Sequence, residues 1–177
     1  PQTYYGSSKL KADKELVAMN DREFKAAIIR PPMAYGGGVA PGNMLRLIRL
    51  VNKHIPLPFG SARNSRDFIN VKNLVEFIHL AVEKEVEGVF YPTDKVPYST
   101  RNVVEEISRQ LGVHTINLPS PSIFLKLIEK VRPDLYQKLW GDVVIDRQLA
   151  LSAIGYEPRY TLEDGIREMV ESFKQQK

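Results

Sequence analysis

The stretch Arg66–Thr93, "RDFINVKNLVEFIHLAVEKEVEGVFYPT", decides the fold, because its pattern changes twice within one run. "DFINV" reads as a strand, "KNLVEFIHLAVEKE" repeats its apolar residues at helical spacing, and "GVFYPT" is a second short strand entered through a glycine. Strand, helix and strand in that order imply parallel strands joined by a crossover, and so an α/β architecture.

Working upstream, "FKAAIIR" reads as a buried strand ending at Arg30, and Pro31 with Pro32 is expected to stop regular pairing there. "YGGGVAPGN" reads as a loop, followed by a helix from Asn43 to about Asn52 with Leu45, Ile48 and Val51 inward. "HIPLPFGSARNSR" is a turn-rich connection. Near the start, Ser7 to Met19 is predicted to be a helix carrying Leu10, Leu16, Val17 and Met19 on one flank.

Downstream, "STRNVVEEISRQLG" is predicted to be a helix capped by Ser99 or Thr100 and ended by Gly112. "SPSIFLKLIEKV", "RPDLYQKLWG", "DRQLALSAIG" and "TLEDGIREMVESFKQQ" all have helical periodicity. Asp146 and Thr161 fit N-caps, Gly155 fits a stop, and Thr161 with Asp164 forms a capping-box pattern.

Composition narrows the function classes. The 177 residues hold no cysteine, which excludes disulfides, thiolate metal sites and a cysteine nucleophile. His54, His79 and His114 lie far apart with no metal-binding spacing. The net charge of +4 is spread along the chain and mixed with acids, so a nucleotide is a better-matched anionic partner than a nucleic acid. No run approaches the roughly 20 apolar residues of a membrane span. The opening "PQTYYGSSK" lacks the features of a signal peptide, and Pro1 is expected to be a cut end of a cytoplasmic protein.

Two tyrosine–lysine pairs share a four-residue spacing: Tyr5/Lys9 in "YGSSK" and Tyr91/Lys95 in "YPTDK". On a helix that spacing puts both groups on one face, where the ammonium would pull the phenol down from about 10 and fit it for proton transfer to and from a hydroxyl. The second pair is not expected to do this, because Pro92 follows its tyrosine and Asp94 competes for its lysine.

"YGSSK", "IIRPPMAYGGG" and "RDFINVKNLVEFI" occur in an order that resembles the YGxSK, LRxxNxYGP and RDFIHVDDLA elements of the extended short-chain dehydrogenase/reductase family. The branch is that of the NAD-dependent nucleotide-sugar epimerases and dehydratases. "PGNMLRLIRLVNKHIPLPFGSARNSRDFINVKNLV" and the ending "LSAIGYEPRYTLEDGI" are similar to its UDP-glucose 4-epimerase (galactowaldenase) group.

The resemblance implies the C-terminal part of a Rossmann-type doubly wound α/β sheet plus a smaller, helix-rich substrate-binding lobe. Residues 1–32 would be a remnant of the Rossmann domain, 33–67 substrate lobe, 68–112 a return to the sheet, and 113–177 the helical C-terminal part of the lobe. It also implies that Tyr5 is the acid/base and that Lys9 assists it and meets the nicotinamide ribose. Pro32 would stand beside the nicotinamide ring, or merely end a strand. Met33 stands where many members have a substrate-contacting Asn. Asn43 would meet the sugar or diphosphate, or cap its helix. Arg66 would grip phosphate, or pair with Asp67 or another carboxylate. Phe59 would wall the uracil, or pack in the core, and Asp142 would reach the ribose.

No glycine-rich fingerprint opens a βαβ unit, and Gly36–Gly38 follow a Pro-Pro break instead, so the chain is expected to lack the pyrophosphate site for NAD. The implied activity of the intact protein is C4 epimerisation of a UDP-hexose through a 4-keto sugar, this fragment alone being inactive. Alternatives are an NADPH-dependent UDP-4-keto-deoxysugar reductase or dehydratase and a non-catalytic nucleotide-sugar-binding domain. The resemblance also allows a homodimer of the full-length protein, with neither a nucleic-acid nor a membrane partner.

Overall fold

A computed structural model describes residues 4–146 and 154–176. In chain order its elements are α1 (Tyr4–Ala18), β1 (Ala27–Ile29), β2 (Met33–Tyr35), α2 (Asn43–Asn52), β3 (Phe68–Asn70), α3 (Val71–Glu83), β4 (Gly88–Phe90), α4 (Thr100–Leu111), α5 (Ser122–Val131), α6 (Pro133–Leu139) and α7 (Leu162–Gln175). This is the mixed α/β class read from Arg66–Thr93. The helix read over "DRQLALSAIG", with its Asp146 cap, falls mostly outside the described residues, although Gly155 does take φ 65°.

Both sheets are parallel pairs, in an arrangement the sequence did not reveal. β1 pairs β4, with Ile28 opposite Val89, and β2 pairs β3, with Ala34 opposite Ile69. α3 therefore carries the chain from one pair to the other. Pro31 and Pro32 end the β1–β4 pairing as expected, its register stopping at Ile29, but pairing with a different partner begins directly after them. They separate two strands, and pairing resumes at Met33, whose partner is Phe68. Proline forbids a ladder bond only at its own nitrogen, so a strand can restart immediately after it.

The main core forms where α2, α4 and α7 meet the β2–β3 pair, around Ile48, Val51, Phe68, Val104, Ile107 and Ile166. A second cluster joins Phe77, Ala81, Phe90, Ile154 and Tyr156, with Phe77 and Tyr156 edge to face at 5.1 Å. Helix ends follow their capping residues. Ser99 accepts from the Asn102 N–H to begin α4, and Gly112 at φ 71° ends it. Thr161 and Asp164 form the expected capping box on α7. Thr100, the other cap candidate, is buried and donates to the Leu139 carbonyl at 2.6 Å.

α1 departs from expectation. None of its residues is buried, and Leu16, Val17 and Met19 are 40%, 41% and 59% exposed. At about 100° per residue Val17 falls within about 20° of Leu10, but Leu16 and Met19 are turned about 120° and 180° from it, so the four do not form one stripe.

A buried polar network ties the two strand pairs together. The Asp94 carboxylate accepts from the Tyr35 hydroxyl at 2.6 Å, the Asn70 N–H at 2.9 Å and the Asn73 amide at 2.7 Å. Burial pushes this carboxyl above its ordinary value, against the opposing pull of its three donors. Asp94 is thus a core residue and not chiefly a partner for Lys95, as the sequence suggested. Asn73 also donates to the Tyr160 carbonyl and accepts from the N–H groups of Arg159 and Tyr160.

Candidate functional site

Six of the predicted site residues fall into two groups, and Pro32 and Asp142 lie in neither. Met33, Asn43, Phe59 and Arg66 line one cavity of about 530 Å³, together with Arg46, Leu47, Leu135, Lys138 and Leu139 among others. That volume suits a small ligand, and every charged residue of the wall is cationic.

Each side chain reaches the cavity for a local reason. Met33 is the first residue of β2, and Asn43 the first of α2, whose apolar face buries Met44, Leu45, Ile48 and Val51 and so fixes the helix. Asn43 is not the cap expected as its other role. Gly42 occupies that position, and no side chain caps the helix. Phe59 is 3% exposed, contacts Trp140 at 5.2 Å between ring centroids, and donates its backbone N–H to Asn117 Oδ1 at 3.1 Å. It is at once a core residue and part of the cavity wall.

Arg66 sits just before β3. Its Nη1 donates to the carbonyls of Gln137 at 2.9 Å and Gly141 at 2.7 Å, at the end of α6. Burial lowers its pKa from the ordinary value, offset in part by the charge of Asp142. The guanidinium therefore braces α6, which brings Leu135, Lys138 and Leu139 to the wall. Asp67, its suggested ion-pair partner, accepts instead from the Ile145 N–H at 2.7 Å. Asp142 is not on the cavity wall; its carboxylate is exposed and accepts from the Ser65 N–H at 2.7 Å.

The second group lies on α1. Lys9 Nζ stands 5.8 Å from the centroid of the Tyr5 ring, so one helical turn does bring the pair together, and Tyr5 is 74% exposed. Neither residue lines the cavity. Pro32 lies next to Met33 in the link between β1 and β2. The other pair differs as expected, since Tyr91–Lys95 contains no helical residue.

Sequence reasoning missed Arg46 and Lys138. Arg46 carried a usable signal, being three residues after Asn43 on the same helix. Lys138 carried none, because α6 reaches the cavity through the Arg66 brace.

Gly36, Gly37 and Gly38 all take positive φ, but their loop is not built for an anion. The Gly37 N–H donates to the Glu168 carboxylate at 3.0 Å and the Val39 N–H to Ser172 Oγ at 3.3 Å. A dinucleotide diphosphate would meet a carboxylate there. Among the described residues no group of His, Asp and Glu is placed to hold a metal, and no helix is long and apolar enough to cross a membrane.

Comparisons with known proteins agree with this architecture. The chain is 36% identical to a UDP-glucose 4-epimerase of Vibrio cholerae, over 99% of this chain and 55% of that protein. The fold is similar to that of a UDP-glucuronic acid 4-epimerase from Bacillus cereus in complex with NAD, with a TM-score of 0.75 at 20% identity, covering 99% of this chain and 54% of the other. A dTDP-glucose 4,6-dehydratase from Bacillus anthracis in complex with NAD gives a TM-score of 0.72 at 20% identity, over 99% and 53% of the two chains. The chain thus spans about half the length of the relatives it matches. Residues 1–91, carrying α1, both strand pairs and the Arg66 segment, match the model of one family, so the chain belongs to the NAD dependent epimerase/dehydratase family.

Proposed function

We propose that this chain is the substrate-binding and acid/base half of an NAD-dependent UDP-sugar 4-epimerase. The observation that carries the reading is the meeting of Met33, Asn43, Phe59 and Arg66, from four separate segments, at one cationic cavity. The likeness to the Vibrio cholerae enzyme supports it.

In this reading residues 1–32 and 68–112 belong with a Rossmann domain, and residues 33–67 and 113–177 form the substrate lobe. Arg66 holds the diphosphate with the donors it does not spend on α6, Asn43 contacts the sugar or diphosphate, and Phe59 walls the base. Asp142, off the cavity wall, reaches the ribose with the acceptor sites that its bond from the Ser65 N–H leaves open. NAD, held beside Lys9 and Pro32, would supply the reversible hydride acceptor for the sugar. Tyr5 accepts the proton of the 4-hydroxyl and gives it back to the 4-keto oxygen, while Lys9 keeps a positive charge against the phenol and faces the nicotinamide ribose with Pro32 nearby. Net redox is zero, and the full-length protein would work in the cytoplasm as a homodimer.

Full-length protein incubated with UDP-glucose and NAD is expected to form UDP-galactose without net NADH. Net consumption of NADPH on a UDP-4-keto-deoxysugar would instead establish the ketoreductase reading. That second reading has its own observation: the thioether of Met33 lines the cavity where the family pattern carries an amide, and a deoxygenated sugar carbon needs no hydrogen bond.

A further inference from the structure

α1 carries the candidate acid/base yet buries none of its residues, so what fixes its rotation is a separate question. Tyr5, Lys9 and Asp13 follow one another at four-residue intervals. Each interval turns about 40° past a full circle, so the three share an arc of about 80° and span about 12 Å of helix. Asp13 is therefore on the Tyr5/Lys9 face. Its carboxylate accepts from Arg30 Nη2, and its side chain is only 17% exposed on an otherwise unburied helix.

Arg30 is itself well anchored. It follows β1 directly, its N–H donates to the Phe90 carbonyl at 2.9 Å, and its guanidinium also meets the Tyr91 side chain. Three residues further on, Met33 enters the cavity wall. The ends of β1 and β4 thus grip the same helix face that presents Tyr5 and Lys9. Ligands in open parallel sheets collect at these carboxyl ends of strands.

From this geometry we infer that the Asp13–Arg30 ion pair, with Tyr91 behind it, is the rotational lock that aims Tyr5 and Lys9. Asp13 and Arg30 are positioning residues that touch neither substrate nor cofactor. Rotation of a helix by one residue would swing Tyr5 through about 100°, so a charge-assisted bond on its face controls alignment while leaving ligand binding alone. The inference rests on the acid/base role proposed for Tyr5.

The test uses the full-length protein with Asp13→Asn, Asp13→Glu and Arg30→Gln. Asp13→Asn and Arg30→Gln are expected to lower kcat at least tenfold while KM for the UDP-sugar and Kd for UDP change less than about twofold, and Asp13→Glu is expected to retain most of kcat. Unchanged kcat in folded Asp13→Asn would overturn the lock, as would equal loss in Asn and Glu variants or a rise in KM that matches the fall in kcat. Failure of the underlying reading is a different result: Tyr5→Phe that turns over normally removes the acid/base assignment whatever Asp13 does.

Discussion

α1 and α2 both carry candidate site residues, and they are held in opposite ways. α2 buries Met44, Leu45, Ile48 and Val51 at 0–5% exposure, so Asn43 and Arg46 stand on a packed platform. α1 buries nothing and is tied to the strands through Asp13 and Arg30. Binding groups thus ride on structure the chain supplies itself, whereas the groups proposed for proton transfer ride on a helix whose apolar side chains remain open.

The sharpest test of this contrast separates turnover from affinity. Tyr5→Phe in the full-length protein is expected to lower kcat by about 1000-fold with UDP affinity unchanged, measured by steady-state kinetics beside titration calorimetry. Stability should show the same division. Ile48→Ala on α2 is expected to cost about 3 kcal/mol in urea unfolding of the chain, and Leu16→Ala on α1 less than about 0.5 kcal/mol. Equal costs would abolish the distinction.

Arg66→Ala should weaken UDP binding by about 10- to 100-fold, because it removes a charged donor from the cavity and also frees the carbonyls at the end of α6. A smaller effect than that of Ile48→Ala concerns α7, which belongs with α2 on the packed side. Thr161→Ala is expected to cost about 1 kcal/mol through loss of the cap. The Thr161 N–H and hydroxyl hold the Asp164 carboxylate below its ordinary 3.8, so the folded chain binds that proton less tightly than the unfolded chain. Its stabilisation is fully present above pH 3.8 and is lost as pH falls through the depressed value. Asp164→Asn should therefore flatten the acid limb of a stability–pH curve and leave the neutral-to-alkaline limb parallel to wild type.

The bounds of α4 were legible because apolar residues recur at helical spacing between clear caps, and those of α2 from the spacing alone. The class of fold was legible from the strand–helix–strand run. Pairing was not, since β2 finds β3 across more than thirty residues, through contacts such as Tyr35 with Phe68, edge to face at 6.2 Å, and the shared acceptor Asp94 that no local pattern announces. The misplaced flank of α1 came from counting apolar residues without their angles. For the site, motif resemblance found the residues at strand ends and helix starts. It could not find Lys138, whose place depends on hydrogen bonds between Arg66 and backbone carbonyls some seventy residues later.

Asn73 stands where the resembled pattern has an aspartate, and all four hydrogen-bonding valences of its amide are occupied. Two of them point outward from nitrogen, one to Asp94 and one to a carbonyl, so an acid at 73 would set carboxylate oxygens 2.7 Å apart and strand the Tyr160 carbonyl. Positions 73 and 94 therefore form a coupled choice in this chain: an acid at one requires an amide, or a retained proton, at the other. The apparent loss of a motif letter is in this respect a change of electrostatic partner, and a single substitution back to aspartate would disturb the join between the strand pairs before it altered any sugar chemistry.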